Sequence, residues 1–292
     1  MNRRLVLNFV LLLIVLALAA LVWKQPGDVP SVKAQPLTPL HANEVTRLII
    51  EWPASNRAPV SLDKSQGMWR MDAPLHVYAN EFRIDALLRV LETASQAHFG
   101  AIGRDLREYG LDPPSAVLEA DDLRIAFGGS EPLDHRRYIQ VGDTIHLTDD
   151  LYLFRLQTDY TSFVSTQLLS PNSHPVMIEL PGLALTHGEG GRWTASPADG
   201  FTPDAINELV DEWRNAQALA VEPADASAVG IGAVRIGFEA GEDIRFEVRE
   251  RDADLLLVRA DLGICYVLTE EQARQLLPML QNSNVPPLDD AQ

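Results

Sequence analysis

Seven histidines, one cysteine and three Asp-Asp pairs are residues whose types could do chemistry, and spacing decides what each can do. The histidines stand at 41, 76, 98, 135, 146, 174 and 187. None is three or four residues from another, so no helical face presents two ring nitrogens to a metal. Cys265 sits in the apolar run Gly263-Ile264-Cys265-Tyr266-Val267-Leu268. One thiol closes no intrachain disulfide. With no Lys, Arg or His beside it to lower its pKa, it reads as a small buried hydrophobe rather than a nucleophile. Asp121-Asp122, Asp149-Asp150 and Asp289-Asp290 invite a calcium or glycosidase reading. Adjacent carboxylates on a strand point to opposite faces, and none of the pairs has the EF-hand ligand pattern, so turn and cap roles are expected. Glycosidase acids drawn from distant positions stay open. Gly230-Ile231-Gly232 precedes a strand, whereas a dinucleotide fingerprint follows one. There is no GxSxG, HExxH, Walker A or kinase pattern. No catalytic residue, metal or cofactor is therefore assigned.

One polar cluster stands out. Gly128 to Tyr138, GGSEPLDHRRY, joins two predicted strands and carries His135, Arg136 and Arg137. Adjacent arginines in an acidic chain suit a carboxylate, a phosphate or a partner's acidic edge. The alternative is a solvated hairpin loop with one arginine paired inside its own domain. The second half of the chain has only Arg249-Glu250-Arg251-Asp252-Ala253-Asp254 at the corresponding place.

The elements that position these residues are written twice. Gly67-Met68-Trp69-Arg70-Met71-Asp72-Ala73-Pro74 has a counterpart in Gly191-Arg192-Trp193-Thr194-Ala195-Ser196-Pro197. Each follows a strand (Val45–Glu51; Pro175–Leu180), a short second strand (Val60–Leu62; Leu183–Leu185) and a glycine-bearing turn. Each leads into a helix. Asn80 caps one with the stripe Ile84, Leu87, Leu88, Leu91 and Ala94; Thr202 with Pro203 opens the other, with Ile206, Leu209, Val210, Trp213 and Ala216. Tyr109-Gly110-Leu111 answers Val229-Gly230-Ile231, and four strands follow in both halves. Each half ends on a predicted short helix, opened by Thr148-Asp149-Asp150 or Thr269-Glu270-Glu271. The pattern predicts an α+β fold of two tandem repeats, each a largely antiparallel sheet with a helix on one face. Trp69 and Trp193 read as equivalent core positions rather than ligand platforms, and Gly110 and Gly230 as a second equivalent pair.

The 292 residues carry 24 Lys and Arg against 41 Asp and Glu, a formal charge of -17. Such acidity argues against nucleic acid as a partner. Leu5 to Trp23 is apolar except for Asn8, and nineteen helical residues rise about 28 Å, close to a bilayer's hydrocarbon thickness. Arg3 and Arg4 place the N-terminus in the cytoplasm and the body outside it, which predicts a single-pass inner-membrane protein with a periplasmic body. Ala17-Leu18-Ala19 offers a rival cleavage site, but apolar character continues to Trp23, which favours an uncleaved anchor. The expected organisation is an anchor over 1–24, a proline-rich linker over 25–42, repeat 1 over 43–170, repeat 2 over 171–285 and a tail over 286–292. Prolines 26, 30, 36 and 39 make the linker an extended spacer.

Glu108 to Pro114, EYGLDPP, and the following IAFGGSEP…RRYIQVGDTIHLTDD resemble a bacterial envelope family carrying the domain of unknown function numbered 4340. The resemblance implies a companion of ABC-type transport or gliding-motility-type systems, by association only. The leading expectation is a non-enzymatic, membrane-anchored extracytoplasmic binding or scaffold protein in a membrane transport assembly, touching lipid through residues 5–23. A second is a periplasmic module binding an envelope glycan, peptide or small ligand in a cleft between the repeats. A third is a carboxylate-based hydrolase.

Overall fold

The computed structural model describes residues 12, 13, 15 and 35–281, except 133, 134, 199, 240, 242, 252 and 253. The expected bilayer helix over 5–23, all but those three residues of it, and the tail over 286–292 lie outside the described residues. No helix among the described residues is long and apolar enough to cross a membrane.

The first half contains β1 (Gln35–Pro36), β2 (Arg47–Glu51), β3 (Val60–Ser65), β4 (Met68–Ala73), β5 (Val77–Tyr78), α1 (Glu81–Leu88), β6 (Ala94–Ser95), β7 (Ala97–Gly100), β8 (Ala116–Ala120), β9 (Leu123–Ser130), β10 (Arg137–Val141), β11 (Thr144–Thr148) and α2 (Leu153–Leu156). The second contains β12 (Pro175–Leu180), β13 (Leu183–His187), β14 (Trp193–Ser196), α3 (Pro203–Asn215), β15 (Ala220–Pro223), β16 (Val229–Phe238), β17 (Asp243–Arg251), β18 (Asp254–Arg259), β19 (Ile264–Leu268), α4 (Glu270–Leu276) and α5 (Pro278–Gln281). Each half builds its own sheet. The first is ordered β5-β4-β3-β2-β8-β9-β10-β11-β7 and the second β14-β13-β12-β16-β17-β18-β19-β15. Apart from β5, the second order is the first with every strand replaced by its counterpart. The paired strands run antiparallel throughout. The chain is thus α+β, with two antiparallel sheets of one topology.

The edge strands β7 and β15 are additions to the sequence reading. In each repeat the chain leaves the helix, adds a strand at the far edge, and only then returns to the centre as β8 or β16. The burial of β7 reads exposed, exposed, half-buried, exposed, so no apolar alternation announces it.

The inner faces carry the core. Leu62, Trp69 and Met71 from sheet 1 join Ile84, Leu87 and Leu88 of α1; Leu185, Trp193, Val234, Ile236 and Phe246 from sheet 2 join Ile206, Leu209, Val210 and Trp213 of α3. The two sets form one continuous hydrophobic cluster, so the repeats share a core although they do not share a sheet. Helix α3 follows the expected pattern: Thr202 accepts from the Ala205 N–H at 3.2 Å, Pro203 opens the first turn and the predicted stripe is buried as far as Trp213. Helix α1 is shorter than expected. It ends at Leu88, continues as a 3-10 turn over Arg89–Glu92 that still buries Leu91, and leaves Ala94 exposed in β6. The reason is a strand pairing that overrides helix propensity: β6 takes β1 as its antiparallel partner, Gln35 opposite Ser95.

That pairing also corrects the spacer. The Leu37 N–H donates to the Thr93 carbonyl at 2.8 Å and the Thr38 N–H to the Leu91 carbonyl at 3.0 Å. Leu37 and Thr38 are buried, so residues 35–38 of the expected linker over 25–42 pack against repeat 1. A second correction concerns the helix ending repeat 1. It starts at Leu153 with no side-chain cap, and Asp149 and Asp150 instead bond Gln96 and Arg137. In repeat 2 the expected cap forms, a reciprocal Thr269–Gln272 box. Each terminal helix is pinned by an indole: Trp52 donates to the Leu156 carbonyl at 2.6 Å and Trp213 to the Leu276 carbonyl at 3.0 Å.

The outer faces differ. On sheet 1, Val117, Ala126 and Ile145 are covered by Ala101 and Leu111, with Leu106, Tyr109 and Tyr138 packed around them. The cover is the YGLDPP stretch. Asp105 caps a 3-10 turn over Leu106–Tyr109 that ends on Gly110 at φ 64°. A Cβ on Gly110 would sit 2.7 Å from the Gly129 nitrogen, and one on Gly128 2.4 Å from the Tyr109 carbonyl oxygen. The motif and the Gly128-Gly129 pair are two backbones in contact, which only glycine permits. Gly230 occupies no such place: it lies inside β16 with open space around it, beside a bulge between Gly230 and Gly232. The two glycines share a sequence position but not a conformation. On sheet 2 a smaller cluster forms around Leu256, Val258, Cys265 and Val267, while Val229 and Ile231 stay exposed.

Gly110→Ala combines a left-handed backbone with a backbone clash and is expected to cost about 3 kcal/mol or more. Gly103→Ala, at φ 79° with nothing near its Cβ, is expected to cost about 1 kcal/mol. Urea unfolding of the full-length protein in detergent measures both. Equal losses would mean that the close approach contributes nothing.

Candidate functional site: a cleft between the repeats

The chain leaves repeat 1 through a 3-10 turn at Tyr160–Phe163, capped by the Asp159 carboxylate, which accepts from the Thr161 N–H at 3.1 Å. This turn packs against both α1 and β15. The next residues form a strap. The Asn80 N–H donates to the Phe163 carbonyl at 2.8 Å and the Ser165 N–H to the Tyr78 carbonyl at 2.9 Å. On the other side, the Ala218 N–H donates to the Thr166 carbonyl at 2.8 Å and the Leu168 N–H to the Ala216 carbonyl at 3.1 Å. The strap is therefore bonded to repeat 1 and repeat 2 within six residues. Leu168 and Leu169 are buried, and Ser170 to His174 then turns the chain into β12.

Beside the strap lies a cavity of about 820 Å³. Arg70, His76 and Tyr78 form its repeat 1 wall, and Gln167, Ser173 and His174 belong to the strap and the turn that follows. Phe238, Glu239, Asp243, Arg259 and Tyr266 close it from repeat 2. The Arg70 guanidinium stands 4.6 Å from the centre of the Tyr78 ring, a cation–π placement, and makes no ion pair among the described residues. Arg259 is committed to Asp261 at 2.9 and 2.7 Å, and these hydrogen bonds hold the Asp261 carboxyl below its ordinary range. Asp243 is committed to Arg235 at 2.8 and 2.5 Å. Burial pushes the Tyr266 phenol upward, and its hydroxyl makes no hydrogen bond among the described residues. A neighbouring pocket of about 310 Å³ shares Tyr78, Ser165 and Gln167 with the cleft and adds Trp69, Asn80 and Gln217.

The cluster singled out from sequence falls elsewhere. Arg137 is 13% exposed; it donates to the Asp150 carboxylate through Nε at 2.9 Å and through Nη2, and to the Gly128 carbonyl at 2.7 Å. It closes its own hairpin, the internal pairing that was the alternative reading. His135 is exposed at φ 55°, and Arg136 is half-buried with its carbonyl accepting from the Glu131 N–H. None of the three lines the cleft. Trp69 and Trp193 occupy matching places, opposite Lys64 and His187 on the preceding strand, with Lys64 Nζ 5.7 Å from one ring and the His187 ring 5.2 Å from the other. Asp121, at φ 50°, accepts from the Thr46 and Arg47 N–H groups as a turn residue. Cys265 is buried, which pushes its thiol upward, and its sulfur lies 3.6 Å from the Pro223 carbonyl. No group of three or more metal-ligating side chains gathers among the described residues.

Sequence spacing missed the cleft because its walls come from β4, β5, β17 and β19, far apart in the chain. The nearest signal was the unassigned stretch Ser170-Pro171-Asn172-Ser173-His174. It also missed a histidine pair. His98 and His146 face each other across β7 and β11, with ring centres 5.8 Å apart. Ser95 Oγ lies 2.9 Å from His146 Nδ1 and 3.2 Å from the Ala97 carbonyl. The Ser95 hydroxyl thus lies between a main-chain carbonyl and the His146 ring at this sheet edge.

Burial, then the charge of His98, holds His146 below the ordinary histidine value. Below that ordinary value the unfolded chain takes up a proton that the folded one resists. Stability present at neutral pH is thus lost as pH falls through about 6.5. Between pH 7.5 and 5.5 the wild-type melting midpoint is expected to fall more than that of His146→Asn. Equal falls would remove His146 from the acid response.

The family model described as Domain of unknown function (DUF4340) matches residues 69–234. No curated protein and no solved structure matches the chain. The matched segment runs from Trp69 through α1, YGLDPP and the whole strap into β16, more than half of the chain. The chain belongs to the DUF4340 family.

Proposed function

We propose that this is a membrane-tethered, extracytoplasmic binding module that serves a membrane transport assembly, with the cleft between its repeats as the binding site. One observation carries the reading: a cavity of about 820 Å³ lies where two repeats and their strap meet. Small-molecule sites favour such junctions and such volumes. A cleft walled by a shared core is preformed, so a ligand need not order it first. The tether is supported by the apolar run over 5–23 behind Arg3 and Arg4. The accessory role is supported by the family resemblance alone. The reading is non-enzymatic and takes no cofactor; it rests on the internal engagement of Arg137, Ser95 and Cys265, each of which serves the fold.

Full-length protein in detergent, incubated with an extract of the bacterial envelope and examined by non-denaturing mass spectrometry, is expected to carry a discrete adduct. Ser173→Trp, which fills the cleft from the turn after the strap, is expected to lose that adduct while keeping the wild-type unfolding midpoint. An adduct absent from the wild type, or retained by the filled variant, would refute the site.

A further inference from the structure

We propose that the ligand of the cleft is a zwitterion of amino-acid or short-peptide type, its carboxylate held by Arg70 on the repeat 1 wall and its ammonium by Glu239 on the repeat 2 wall. This rests on the cleft being the binding site. Among the described residues the cleft is lined by two arginines and two carboxylates, Arg70, Arg259, Asp243 and Glu239. Two of the four are spent on groups outside the lining: Arg259 on Asp261 and Asp243 on Arg235. Arg70 and Glu239 make no ion pair among the described residues, either with each other or elsewhere. One free charge of each sign therefore remains, on opposite walls.

Arg70 has carboxylates to hand and leaves them. Asp63 lies directly opposite it on β3, and Asp72, which bonds the Asp63 carboxyl, follows two residues along β4. Burial, then that neighbour, raises Asp63 above the ordinary carboxylate value, where a paired Arg70 would hold it down. The Arg70 guanidinium stands over the Tyr78 ring on the cleft wall instead. A guanidinium on a ring face keeps its in-plane N–H fork free, and that fork matches a carboxylate.

The rest of the lining narrows the class. Tyr266 is 5% exposed and closes the cleft from repeat 2, and its hydroxyl keeps accessible surface with no partner among the described residues. It offers the same ligand a donor and an acceptor. Leu168 and Phe238 add apolar wall. A neutral sugar would cover both free charges without answering either. A polyanion would meet Glu239 and Asp243, and a polycation would meet Arg70 and Arg259. A ligand with one charge of each sign answers both walls.

The test equilibrates full-length protein in detergent with a mixed-sequence tripeptide pool and, separately, with the free amino acids, and reads bound ligand by mass spectrometry after dialysis. Each is supplied in three forms: unblocked, acetylated at the amino end, and amidated at the carboxyl end. At least one unblocked set is expected to bind, and either blocking group to weaken it about tenfold. Arg70→Gln is expected to weaken the unblocked ligand about tenfold and to make amidation harmless; Glu239→Gln is expected to do the same for acetylation. Both side chains are exposed, so both variants are expected to keep the wild-type unfolding midpoint. Blocked forms bound as tightly as unblocked ones would overturn the proposal, as would an Arg70→Gln variant still sensitive to amidation. If the envelope adduct forms but neither tripeptides nor amino acids are retained, the ligand class is wrong and the cleft stands. If neither is seen, both fail.

Discussion

Four main-chain hydrogen bonds hold this molecule in its one arrangement. Phe163, Val164 and Leu168 are buried, so the main-chain groups around them need partners, and those partners lie on different repeats: Tyr78 and Asn80 on one side, Ala216 and Ala218 on the other. The strap is thus an obligatory bridge rather than a linker. It explains how two separate sheets come to share one core, with Phe163, Val164, Leu168 and Leu169 buried in it. The cleft is a by-product of the same constraint. Sheet 1 ends at β5, the strap covers part of its edge, and the space left against Phe238 and Tyr266 is the cavity.

Duplication fixed the inner faces and left the outer ones free to diverge. Leu62 and Leu185, Trp69 and Trp193, and the apolar faces of α1 and α3 are buried in the one core because each sheet must bury one apolar face. Outside that face the copies have different solutions. Repeat 1 lays Tyr109 and Gly110 directly on Gly128 and Gly129, backbone to backbone. Repeat 2 has Val229 and Ile231 in the open and a row of arginine–carboxylate pairs, among them Arg249 with Glu247 and Arg251 with Glu222.

What could be read from the sequence follows from how local each cause is. The caps at Asn80, Thr202 and Thr269 and the stripe of α3 act within a few residues, and all are present. The repeated strand order follows from repeated apolar runs. Three features depend on distant partners and left no local mark. Strands β7 and β15 form because an edge was available, β6 forms because β1 pairs with it, and α1 stops short for the same reason. The site belongs to this class too. His135, Arg136 and Arg137 drew notice as neighbours in sequence, whereas Arg70 and Tyr266 meet only across the fold.

The docking of Leu37 and Thr38 against Leu91 and Thr93 has a mechanical side. Anything that pulls on the chain before residue 35 delivers its load to β1 and β6, laid antiparallel beside the end of α1. That helix begins at Asn80, whose own N–H holds the strap through Phe163. Tension therefore has a short, hydrogen-bonded route from residue 35 to the strap between the two repeats, and it reaches the cavity's rim before it reaches the second repeat.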